Sequence, residues 1–124
     1  MQHAANAYAT TAKAALTPRE LEAQVLMNAA ARLQGIQDNW DARKADLDDA
    51  LIYNRKIWTV IASSATEEDN PLPRPIKQNI ANLAIFIFNH TMKMMIEPSP
   101  DRLRSLVSIN RELAAGLRSR PPAG

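Results

Sequence analysis

Cysteine is absent from this chain of 124 residues, and with it go disulfides, thiolate nucleophiles and every cysteine-based metal site. The absence fits a reducing compartment, so a cytoplasmic location is expected. Glycine is almost absent too: Gly35, Gly116 and Gly124 are the full set, and no Gly-rich phosphate loop can be built from them. Aromatic residues number two each of Trp, Tyr and Phe. No stretch alternates apolar and polar residues for long enough to read as a strand. The longest apolar run, Ile80 to Ile96, is interrupted by Asn82, Asn89, His90 and Lys93. A membrane span needs roughly 20 mainly apolar residues, so none is expected. Met1 to Asn6 offers neither a basic nor an apolar region of the kind a secretory signal requires. Charge of one sign is scarce as well, the formal net charge being +2. The excess is uneven: from Arg102 onward five arginines face only Glu112, so that end can meet an anionic partner.

What is present is the vocabulary of helices. Alanine, leucine, glutamate, lysine and arginine dominate, and they lose little conformational freedom in a helix. The expected fold is all-α, a compact bundle of about five helices forming one domain over residues 1–117, with residues 118–124 a disordered tail. Ala4 to Ala15, with Tyr8 its only large side chain, reads as a short helix that needs a docking surface. Thr17-Pro18-Arg19-Glu20 is a helix start with a capping threonine and a first-position proline. Leu21, Val25, Leu26, Ala29, Leu33 and Ile36 then recur at helical spacing, giving a second helix from Pro18 to about Gln37. A third is expected from Asp41 to Ala62, with Leu47, Ala50, Leu51, Asn54, Trp58 and Ile61 on one face. Pro71, Pro73 and Pro75 stiffen the connection that follows. A fourth helix covers Ile76 to Ile96. Ser99-Pro100 opens a fifth, whose apolar face holds Leu103, Leu106, Val107, Asn110, Leu113, Ala114 and Leu117.

The fourth helix is apolar around most of its circumference, with only Gln78, Asn82, Asn89 and Lys93 forming a clearly polar stripe. A helix of that kind must be covered on most sides. It is therefore expected to be the central element of the bundle, the alternative being that a partner covers part of it. Met92, Met94 and Met95 are expected to fill irregular core space, with an adaptable binding groove as the alternative. Asn54, Asn79 and Asn110 lie in or beside apolar stripes and must find hydrogen-bond partners if buried, inside the fold or on a ligand chain. Trp58 belongs on the apolar face, and Trp40 lies near a helix boundary. Catalytic signals are weak. His3 and His90 lack a carboxylate or histidine four residues on, and Asp46, Asp48 and Asp49 suit the N-terminal end of a helix. No enzyme, no cofactor and no metal site is expected.

Tyr8, Pro18-Arg19-Glu20-Leu21-Glu22, Ala50-Leu51, Asn54-Arg55-Lys56-Ile57-Trp58, Asn70-Pro71-Leu72-Pro73, Asn79-Ile80 and Leu83, in this order, resemble the FlaF family of alphaproteobacterial flagellar biosynthesis proteins. The resemblance runs from about Tyr8 to Ile96. It implies a cytoplasmic accessory factor that binds flagellin as a chaperone and promotes its synthesis and export, working opposite FlbT. The expected partner-binding residues are Asn54, Arg55, Trp58, Asn70, Leu72, Pro73, Asn79, Met94 and Met95. The competing reading is post-transcriptional control through flagellin mRNA or FlbT, with Arg43, Lys44, Arg55, Lys56 and the C-terminal arginines reaching RNA phosphates. Surplus apolar surface is equally compatible with a homodimer.

Overall fold

A computed structural model describes residues 17–118. The elements are α1 (Pro18–Asp38), the single turn α2 (Trp40–Arg43), a 3-10 turn at Lys44–Asp46, α3 (Leu47–Ala65), α4 (Arg74–Ile96), a second 3-10 turn at Pro100–Arg102, and α5 (Leu103–Arg118). Four of the helices are long, and no strand occurs among the described residues. The helix expected over Ala4–Ala15 and residues 119–124 of the expected tail lie outside the described residues. Arg118 itself ends α5.

α1 begins as its sequence dictates. Thr17 is extended, and its Oγ1 accepts the Glu20 N–H at 3.1 Å, satisfying one of the donors that a helix start leaves free. The helix ends at Asn39, whose backbone N–H and side-chain amide both donate to the Gly35 carbonyl, at 3.2 and 3.0 Å. The third helix does not start at Asp41. The chain makes one α turn, then a 3-10 turn, and α3 opens only at Leu47, running one turn past Ala62 to Ala65. The break falls at Arg43, which leaves helical dihedrals (φ −121°, ψ 2°). Its guanidinium folds back over α1 at Gly35, where a Cβ would stand 2.6 Å from Nη1. The atom met is the far end of a flexible side chain, so a larger residue at 35 would displace the guanidinium and leave the backbone in place.

The proline segment is held by Asn70. Its Nδ2 donates to the Ser64 carbonyl at 3.0 Å, and its Oδ1 accepts the Leu72 N–H at 2.9 Å. Leu72 is thereby turned into the core. α4 starts at Arg74 with Pro75 in its first turn, where a missing N–H costs nothing. At its other end, His90 Nε2 donates to the Arg102 carbonyl at 2.7 Å and ties α4 to the start of α5.

α5 packs along α1, α3 packs on the same helix, and α4 lies chiefly against α3. The core therefore sits between α1, α3 and α5, around Leu26, Leu33, Leu51, Trp58, Leu103 and Leu106. The expectation that the fourth helix is central does not hold. α4 buries one stripe, Ile80, Ala84, Ile87, Thr91 and Met94, and leaves Ile85, Phe86, Met92 and Ile96 exposed. The reason is geometric: among the described residues a single long helix covers most of its buried side. None of the described helices is long and apolar enough to cross a membrane.

Candidate partner-binding surface

Two kinds of feature can carry a partner role, a buried polar cluster and a set of uncovered apolar faces. The cluster joins three helices. Trp58 Nε1 on α3 donates to Asn110 Oδ1 on α5 at 2.9 Å. Asn110 Nδ2 donates to Asn54 Oδ1 at 2.7 Å and points at the Leu26 carbonyl of α1 at 3.5 Å. All three side chains are fully buried. The indole N–H can only donate, so Asn110 must present its oxygen to it and its amide nitrogen to Asn54. That leaves Asn54 Nδ2, with Thr91 Oγ1 on α4, as a buried polar atom without a hydrogen-bond partner among the described residues. Such a network, buried across three helices, fixes helix register.

The uncovered apolar faces lie elsewhere. Ile85, Met92 and Ile96, at i, i+7 and i+11, share the side of α4 turned away from its buried stripe, and Met92 and Ile96 are 62% and 79% exposed. Phe86 beside them stacks on His90 with ring centres 5.2 Å apart. Where α4 and α5 diverge, Ile76, Asn79 and Leu83 face Ile109, Leu113 and Gly116 across a groove of about 270 Å³. A second groove, of about 350 Å³, runs between α1 and α3, lined by Leu21, Val25, Tyr53, Ile57, Val60 and Ile61 with Glu22 and Lys56 at its edge. Burial raises the Glu22 carboxyl above its ordinary value, against the opposing pull of Arg19.

The residues expected to bind a partner divide by this geometry. Asn54, Trp58, Leu72 and Met94 are buried, Asn70 and Met95 are half-buried, and Arg55, Pro73 and Asn79 are exposed. Only Asn79 lines a groove. Trp40 is half-buried against the core. Sequence reasoning did not single out Leu21, Tyr53 and Val60 as a surface. The signal was there for the last two, since they are large apolar residues on α3 outside the stripe of Leu47, Leu51, Trp58 and Ile61. Among the described residues no group of three or more His, Asp or Glu is placed to hold a metal ion.

The protein family described as Flagellar protein FlaF matches residues 4–117. No curated protein and no solved structure matches the chain.

Proposed function

The chain belongs to the FlaF family of flagellar proteins, and from that premise we propose that it binds flagellin in the cytoplasm as a chaperone and promotes its export. The observation that carries this reading is the uncovered apolar side of α4, Ile85, Met92 and Ile96. A helix face of this kind is stable in water only at a cost, and an amphipathic client helix laid along it removes that cost. Methionine gives the face the adaptability that a client with varied side chains needs. The groove at Asn79 and Leu83 lies on another side of α4, against α5, and is a separate recess. The four buried members of the expected binding set then act by holding α3, α4 and α5 in place.

The test is titration of monomeric flagellin into the full chain and into a variant carrying Ile85→Glu and Met92→Glu. Two buried carboxylates in an apolar contact are expected to weaken the complex at least about tenfold. Unchanged affinity at both salt extremes would remove α4 from the interface. Affinity that collapses with salt, together with binding of flagellin mRNA, would favour the RNA reading.

A further inference from the structure

The outer side of α4 carries a regular pattern of its own. Gln78, Asn82, Ile85, Asn89, Met92 and Ile96 follow one another at alternating steps of four and three residues, and all six are exposed. That is the spacing of a coiled-coil seam, with Asn82, Asn89 and Ile96 at a and Gln78, Ile85 and Met92 at d. In the same register Ile80, Ile87 and Met94 fall at f, on the opposite side of the helix, and all three are buried in the core. α4 thus has two apolar sides back to back, one used by the fold and one left uncovered by the other described helices. We propose that the seam docks a second copy of the chain, α4 against α4, as a parallel two-stranded pair. The inference needs no client and stands apart from flagellin binding.

Three observations favour a second copy as the occupant. The first is the amides. Asn82 and Asn89 interrupt the seam, and a carboxamide carries both donors and an acceptor, so an identical carboxamide complements it. A parallel pair sets Asn82 against Asn82 and Asn89 against Asn89, and Ile85, Met92 and Ile96 also meet their own kind. An antiparallel pair instead sets Asn89 against Met92 or Ile85 and leaves its amide without a partner. Asparagine at a is an established device for fixing register and strand number, at a cost in stability.

The second observation is charge. From Gln78 to Ile96 the sole formal charge is Lys93. It stands at e, beside the seam. In the parallel pair it lies across from Phe88, at g of the second copy, and away from the other Lys93. No like charges meet, and the ammonium finds an aromatic face. The third is area. Ile85 is 61% exposed, close to the value for Met92. Covering one large apolar side chain removes on the order of 100 Å² from water. With Phe86 and the amides, two copies therefore bury on the order of 1,000 Å², the low end for a specific interface. The helix is already held by its packing on the core, so association costs little further ordering. The expected product is a dimer that dissociates in the micromolar range, weak enough for a client to displace.

Sedimentation equilibrium of the full chain without flagellin, from low to high micromolar concentration, tests the proposal. The mass is expected to rise reversibly from 13.7 kDa toward twice that value. Ile85→Glu is expected to raise the dissociation constant at least about tenfold, and Asn89→Val to lower it, because the amide at a is unfavourable to association. Should Ile85→Glu fail to fold, Asn89→Val still decides. Since the chain has no cysteine, Asn89→Cys supplies a lone thiol that forms a symmetric disulfide only where residue 89 faces itself with Cα atoms within about 7 Å. Ser108→Cys, on the exposed side of α5, is the control. Oxidation to a covalent dimer is expected at least about tenfold faster at 89 than at 108, an advantage of local concentration. A chain monomeric at every concentration, association unchanged by Ile85→Glu or by Asn89→Val, or equal cross-linking at 89 and 108 would overturn the proposal. Flagellin binding by a strictly monomeric chain would overturn it and leave the client reading intact.

Discussion

α4 and α5 are neighbours with opposite designs. α5 has 16 residues and buries seven, all on one stripe, while Arg104, Ser108, Arg111 and Glu112 face outward. α4 has 23 residues and buries only five, although apolar side chains surround most of it. The helix with less apolar content is the better covered. A sharp division between faces tells a helix which side to bury, and α1 meets that side along its length. A helix apolar on most sides can be seated in several ways, and its neighbours settle which side is used. What remains uncovered is then available for recognition, which is how the excess apolar surface of α4 enters the proposed function.

The contrast can be broken most severely from the α5 side. Asn110→Leu keeps the volume but leaves the Trp58 N–H and the Asn54 oxygen buried and unpaired. A loss of about 3 kcal/mol is expected at the cost of an unmade buried hydrogen bond on each side, read as a lower urea midpoint with an unchanged slope. At the connection leading into α4, Asn70→Ala removes the acceptor for the Leu72 N–H and the donor to Ser64, and a loss of about 1 kcal/mol is expected in the same measurement. On the outer side of α4 the effect on folding should almost vanish. Ile85→Glu with Met92→Glu is expected to shift stability by no more than about 0.5 kcal/mol, as for surface substitutions generally. A large loss there would mean that α4 is covered within the fold after all.

How far the sequence led can be seen in particular residues. Thr17, Pro18 and Glu20 marked the start of α1, because capping chemistry is local and the signal lies in adjacent positions. The stripe of α5 was legible in full for a related reason: Arg104, Ser108, Arg111 and Glu112 mark its outer side, and no large apolar residue is exposed there. Asn54 and Asn110 could be placed on apolar faces, and so the need for internal partners was legible, but the Trp58–Asn110–Asn54 order depends on how two helices register across the core. The break at Arg43 was not legible, since neither proline nor glycine marks it in Asn39 to Asp46. Nor was the position of α4. Periodicity states which sides of a helix tolerate burial; it carries no information on how many neighbours a short chain can supply.

The hydrogen-bonded chain from indole to two amides also shapes which sequences lie within reach of this one. Each link has a fixed sense, since the only obligate donor stands at one end. Replacing a single member strands the others, whereas exchanging all of them together for apolar residues of similar volume is close to neutral. The route from this core to an equally stable greasy one thus runs downhill first, through intermediates that fold less well than either end. Selection acting one substitution at a time keeps the three residues as a block.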